Sequence, residues 1–249
     1  MNPVLILGGT ADARRVALML HEQGLPLIYS VAGLVRRPDV PAEIISGGFT
    51  QFGGLSAYIK SRNIVAIINA THPYAEKMSE TAQRIAQQQG IAYWRFLRPA
   101  WQAEEKDNWV ICKDWLAIVE KINAYENIFF TAGQVPQEVL DALGAMQQIT
   151  LRTAVKPKAY LPEKCHWIKA IGPFDYDSEY QLIKHKKFDV LVSKNSGGEA
   201  TVAKLIAARH LGIPVLMLER PETIITKGSL DDLTAVSSAC SRWYHENFS

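Results

Sequence analysis

Between Asp189 and Pro221 the chain reads DVLVSKNSGGEATVAKLIAARHLGIPVLMLERP, and no other stretch restricts its fold so tightly. Asp189 to Ser193 is a short apolar run of strand type, and Lys194-Asn195-Ser196-Gly197-Gly198 is a polar turn. Ala200 to Leu211 carries Val202, Leu205, Ile206 and Leu211 at helical spacing, which predicts a helix with one buried face. Gly212 ends that helix, and Pro214 opens the apolar run Val215 to Leu218. A strand, a turn, a helix and a second strand in this order form the building block of a parallel α/β sheet. The turn matters most for chemistry. Backbone N–H groups there and in the first helical turn have no intrahelical partner and can hold phosphate or carboxylate oxygens. Gly197 and Gly198 let a ligand approach the backbone, while Lys194, Asn195, Ser196 and Thr201 add charge and hydrogen-bonding groups.

The same order of elements opens the chain. Pro3 to Leu7 reads as a strand, Gly8-Gly9-Thr10 as a turn, and Ala11 to Gln23 as a helix closed by Gly24. The turn departs from the dinucleotide fingerprint, because Thr10 and Ala13 stand where glycines are needed. Thr10 suits a helix cap, and Asp12 complements the helix dipole. Leu27 to Val31 is the second strand. A unit that binds NAD usually has an acidic residue near the end of this strand for the ribose hydroxyls. Here Ser30 is followed by Arg36 and Arg37, which leans toward a 2′-phosphate and NADPH over NADH. Glu43 to Ser46 is a short strand, followed by Gly47-Gly48 and Gly53-Gly54, and Ile64 to Asn69 is strongly apolar.

Ala70-Thr71-His72-Pro73-Tyr74-Ala75 follows that strand at the edge where open α/β sheets bind ligands. It places a hydroxyl, an imidazole and a phenol on one turn. His72 and Tyr74 are candidate proton donors, with Lys194 a third. A second series of strands begins at Asn127, with the turn Thr131-Ala132-Gly133-Gln134. Two α/β domains are therefore expected, residues 1–125 and 126–249, with a cleft between them lined by the glycine-rich turns. Both should be Rossmann-like, that is, doubly wound with mainly parallel sheets.

Composition narrows the function. The net charge of +2 argues against a general nucleic-acid binder. No apolar run approaches the roughly 18 residues of a membrane span, and the first one covers only Val4 to Leu7. A cytoplasmic protein is expected. Cys112, Cys165 and Cys240 are far apart and read as free thiols, and the histidines lack metal-ligand spacing, so no metal site is expected.

Taken together, several motifs carry a family likeness. They are Ile6-Leu-Gly-Gly-Thr10 with Asp12 and Arg14, Gly47-Gly48-Phe49, Ala70 to Ala75, Gly172-Pro-Phe174, Lys194 to Gly198, and Ala207 to Pro214 through Arg220-Pro221. Across nearly its whole length the chain resembles the precorrin-6A and cobalt-precorrin-6A reductases of corrin-ring biosynthesis. The resemblance implies two α/β domains and a nicotinamide cofactor, without flavin or catalytic metal. It also implies hydride delivery to one double bond of a polycarboxylate tetrapyrrole, giving a precorrin-6B. On this reading Gly8, Gly9, Thr10, Ser30, Arg36, Gly47, Gly48, Thr71 and the Asn195-Ser196-Gly197-Gly198 run surround the cofactor. Gln134 departs from the family pattern, standing where an arginine is expected, and Arg152 or Lys156 could take over that contact.

Two rival readings remain. A short-chain-type dehydrogenase needs a Tyr-x-x-x-Lys pair on a helix, and only Tyr180 with Lys184 offers one. A non-catalytic, redox-sensing module would bind NAD(P)H in the same turns and reduce nothing.

Overall fold

A computed structural model describes residues 2–33, 38–221 and 229–248. Its first unit begins with β1 (Val4–Leu7), α1 (Ala11–Glu22), β2 (Leu27–Val31), β3 (Glu43–Ser46) and α2 (Leu55–Ser61). It continues with β4 (Ala66–Asn69), α3 (Glu76–Gln89) and β5 (Ala92–Phe96). The second unit runs through β6 (Trp109–Cys112), α4 (Trp115–Ile122), β7 (Asn127–Phe130), α5 (Gln137–Asp141) and β8 (Gln148–Thr153). It closes with β9 (Cys165–Lys169), α6 (Tyr176–Lys186), β10 (Val190–Lys194), α7 (Ala203–Leu211) and β11 (Val215–Leu218). The chain then returns to the first unit for β12 (Ser229–Leu230) and α8 (Leu233–Phe248).

Each unit has one six-stranded sheet, ordered β12-β5-β4-β1-β2-β3 in the first and β6-β11-β10-β7-β8-β9 in the second. Every strand pair is parallel. Strands covered on both faces need apolar residues at every position. Accordingly Val4, Leu5, Ile6 and Leu7 are all buried. Their alternation splits the first core in two. Val4 and Ile6 join α1 and α8 through Val16, Leu20, Val236 and Cys240. Leu5 and Leu7 face α2 and α3 through Leu55, Ile59, Ala82 and Ile85. In the second unit α6 and α7 pack on Phe129, Leu191 and Met217. Helices on both faces make the first unit doubly wound, as expected.

The seam differs from the expected position at residues 125 and 126. The compact units divide at Pro99 and Ala100, and again at Arg220 and Pro221. β6 pairs with β11, so residues 109–112 belong to the second sheet although they precede the second glycine-turn series. α8 packs against α1 and β5, which returns the C-terminal residues to the first unit. Both partnerships span long stretches of chain that local periodicity does not register. β12 was not expected from the sequence, and the short apolar run Ile224 to Thr226 lies outside the described residues.

Candidate functional site

In the first sheet the chain winds outward from β1 in both directions, so β1 and β4 flank the point where strand order reverses. Loops diverge there, and the crevice at the carboxyl ends is where such sheets hold ligands. The register sets the residues of this edge level with one another. Leu7 pairs with Ser30 and with Asn69, Val31 with Ser46, and Asn69 with Arg95. Gly8-Gly9-Thr10, Ser30, Gly47-Gly48 and Thr71 therefore end adjacent strands of one sheet.

Polar contacts hold that edge in place. The Thr10 hydroxyl accepts the Ala13 N–H at 3.0 Å, capping α1, and donates to the Ala70 carbonyl at 2.8 Å, joining the turns after β1 and β4. The Asn69 Oδ1 atom accepts the Thr71 hydroxyl at 2.7 Å and the Thr71 N–H at 3.2 Å. Its Nδ2 donates to the Tyr93 hydroxyl at 2.9 Å. Asp12 in the first turn of α1 is paired with Arg98, which offsets a negative charge at a helix start otherwise suited to anions. Thr10, Asp12, Ala70, Thr71, Pro73, Phe96 and Arg98 line a small recess at this point.

The glycines play different parts. Gly9 has φ +100°, and the space where a side chain would stand is open, which suits close approach by a ligand. Gly8 is instead packed against Tyr29, and a Cβ there would lie 2.6 Å from Tyr29 Cε1 and nearer still to Cζ. The Tyr29 hydroxyl accepts the Gly9 N–H at 3.3 Å. Burial raises the pKa of that phenol, keeping it protonated. Gly47 and Gly48 both have positive φ, and Gln51 closes their turn by donating to the Ser46 and Gly48 carbonyls at 2.6 and 2.8 Å. His72 is exposed, and its Nδ1 accepts the Tyr74 N–H at 3.3 Å, which places the proton of the neutral ring on Nε2. The two rings stand 5.6 Å apart. Ser30 is buried at the end of β2. Arg36 and Arg37 lie outside the described residues.

The second sheet repeats the arrangement. Its order reverses between β7 and β10, whose carboxyl ends carry Thr131-Ala132-Gly133-Gln134 and Lys194 to Gly198. Thr131 ties the two together by donating its hydroxyl to the Val192 carbonyl at 3.0 Å. Lys194 is half-buried 5.8 Å from the Trp115 ring, and burial lowers its pKa. Ser196 is buried, its N–H bonded to the Lys194 carbonyl at 2.8 Å, and Gly197 has φ +69°. A 3-10 turn, Glu199–Thr201, precedes α7, so the regular helix starts later than Ala200. The Asn195 amide is engaged with the main chain of Trp101.

Arg152 is not placed to replace the missing arginine. It is buried, forms a two-pronged ion pair with Glu179, and lies over the Phe129 and Phe174 rings at 5.0 and 4.0 Å. Gln134 instead accepts the Lys158 N–H at 2.8 Å and holds the β8–β9 loop, in which Lys156 is exposed. Sequence reasoning also passed over Asn69 and Tyr29, polar residues within apolar strands. That pattern was the available signal, because a polar group buried in a parallel sheet must find a partner.

A family model described as "Precorrin-6x reductase CbiJ/CobK" matches residues 3–241. The chain belongs to this family. A precorrin-6A reductase of Rhodococcus erythropolis is 35% identical to it over 238 residues, covering 94% of this chain and 95% of that one. A cobalt-precorrin-6A reductase of Priestia megaterium is 28% identical over 235 residues, covering 88% and 91%. Among solved structures, one titled "CobK precorrin-6A reductase" superposes with a TM-score of 0.87 at 31% identity, covering 100% of this chain and 98% of that one. Among the described residues of this CbiJ/CobK member, no helix is long and apolar enough to cross a membrane. No group of three or more metal-ligating side chains occurs among them either.

Proposed function

We propose that the protein reduces one double bond of precorrin-6A to give precorrin-6B in cobalamin biosynthesis, with NADPH as the hydride donor. Family membership carries this reading, and the carboxyl edge of the first sheet supports it. Gly9 leaves open space over the β1 turn, α1 starts there, and Arg98 neutralises Asp12, so an anionic nucleotide fits that edge. When bound, the nicotinamide supplies the hydride, and the protein sets distance, angle and electrostatics.

Gly8, Gly9, Thr10, Ser30, Gly47, Gly48 and Thr71 are proposed to form the nucleotide site, with Arg36 on the 2′-phosphate. β2 ends in Ser30-Val31 rather than in a carboxylate, which favours NADPH over NADH. Ser196, Gly197 and Gly198 form a second anion-binding turn, for cofactor or for the carboxylates of the macrocycle, with Asn195 fixing its start through Trp101. His72 is the leading proton donor, because its Nε2 bears the proton when Nδ1 accepts from Tyr74. Tyr74 and Lys194 are the alternatives. The cobalt-free macrocycle is the preferred substrate, since the match to the Rhodococcus protein is 35% against 28% for the cobalt-named relative. The cytoplasm, where reduced nicotinamide cofactor and unstable precorrins are kept, is the proposed compartment.

The test is anaerobic incubation with precorrin-6A or its cobalt form and each reduced cofactor in turn. Loss of reduced cofactor coupled to a shift in the macrocycle's visible spectrum is expected, fastest with NADPH and the cobalt-free ring. Cofactor binding without oxidation on either macrocycle would instead mark a binding module. For His72→Ala, turnover should fall by about 100-fold with cofactor affinity retained. Unchanged turnover would remove His72 from the chemistry.

A further inference from the structure

The Lys194–Gly198 turn is tied to the two places where the chain joins the second unit, and one residue makes both ties. The Asn195 Oδ1 atom accepts the Trp101 N–H at 2.8 Å, and Asn195 Nδ2 donates to the Trp101 carbonyl at 3.0 Å. Its backbone carbonyl accepts from Arg220 Nε at 2.7 Å, and its N–H donates to the Leu218 carbonyl at 3.1 Å. The second unit spans Ala100 to Arg220. Trp101 is therefore one residue beyond its start, and Arg220 is its last residue.

We propose that Asn195 is a positioning residue that clasps both connections, so that a ligand held by the Lys194–Gly198 turn tightens the backbone at Trp101 and Arg220. The inference rests on the reading that this turn binds an anionic group of cofactor or substrate. Its chemistry is specific to the residue type. An amide offers an acceptor and a donor at the right separation to match the N–H and C=O of a single residue, as antiparallel strand pairing does. Aspartate keeps the acceptor and loses the donor, and alanine keeps neither. The turn has little slack of its own, since Ser196 N–H is bonded to the Lys194 carbonyl at 2.8 Å and Thr201 N–H to the Gly198 carbonyl at 3.2 Å. Movement at Ser196 or Gly197 is thus passed to Asn195, and through its amide to Trp101. A turn that only reversed the chain would need no side-chain bond to a segment 94 residues away.

Hydrogen exchange at the Trp101 amide reads the clasp directly, because that N–H is the donor. It would be measured on the full chain alone, with saturating NADPH, and with saturating precorrin-6A. In the wild type at least one ligand should slow exchange at Trp101 by about fivefold. In Asn195→Ala the ligand-free exchange should be faster and the slowing by ligand lost. KM for that ligand should rise by about fivefold with little change in kcat, and Asn195→Asp, which keeps the acceptor for the Trp101 N–H, should show ligand-free exchange at Trp101 between wild type and Asn195→Ala. If ligand binds but Trp101 exchange is unchanged, or Asn195→Ala still shows the slowing, the clasp is overturned and the reductase reading stands. If neither ligand binds the wild type, both fall.

Discussion

Replacing Gly8 with alanine tests whether the first glycine of the β1 turn serves the cofactor or the core. The added Cβ would lie 2.6 Å from Tyr29 Cε1 and closer to Cζ, well inside any tolerated approach. The Tyr29 ring has no exposed surface and cannot swing into solvent to make room. Overpacking of this kind costs about 1–3 kcal/mol. Displacing the ring also loosens the bond from Gly9 N–H to the Tyr29 hydroxyl, worth about 0.5–1.5 kcal/mol. Gly8→Ala should thus lose about 1.5–4.5 kcal/mol of unfolding free energy in urea, with the slope of the transition unchanged. A double-mutant cycle with Tyr29→Leu locates the cause. The leucine leaves a cavity of its own, and the methyl group added at position 8 then has space, so the double variant should recover at least about 1 kcal/mol relative to the sum of the singles. A Gly8→Ala protein within about 0.5 kcal/mol of wild type, or strict additivity in the cycle, would refute the packing explanation.

Two further perturbations probe the second unit. Glu179→Ala leaves the Arg152 guanidinium buried without its carboxylate, which should cost about 3–5 kcal/mol in denaturant unfolding, whereas Arg152→Met with Glu179→Leu should stay nearer the wild type. Equal losses in the single and double variants would contradict an ion-pair role. Lys204 is buried 5.5 Å from the Trp101 ring, and burial, with Arg152 adding to it, lowers its pKa to about 7. The unfolded lysine keeps its proton to about pH 10.4. Between about pH 7 and pH 10 the unfolded state therefore binds more protons, and wild-type stability should rise by up to about 1.4 kcal/mol per pH unit relative to Lys204→Met. The variant should be the more stable of the two at about pH 6, with the gap closing as pH rises. Parallel stability–pH curves for the two proteins would show that Lys204 ionises normally.

Much of the fold was legible because parallel α/β units leave strong local marks. Strands buried on both faces are uninterrupted apolar runs, and the bounds expected for β2, β3 and β11 match those observed. The helix end marked by glycine at Gly212 was equally plain, and that residue adopts the left-handed conformation at the C-cap of α7. β12 escaped notice because two residues carry no periodicity, and it is defined only by its pairing with β5. In the candidate site the glycine turns were visible, but the part each plays was not. Gly8 and Gly9 are identical in sequence terms, yet one faces Tyr29 and the other open space. Asn195 looked like a ligand contact, and its amide is bonded to Trp101. Arg152 looked like a spare cation, and it is spent on Glu179.

By itself, the sequence determined the fold class, the alternation of strands and helices, and the family, because these depend on periodicity and on motifs within a few residues of one another. Only the tertiary structure decided which strands share a sheet, where the units divide, and which polar side chains remain to meet a ligand. Those outcomes depend on pairings such as β6 with β11, Asp12 with Arg98, and Asn195 with Trp101. Each joins residues far apart along the chain, and each is favoured by burial and hydrogen-bond satisfaction that exist only once the sheets have formed.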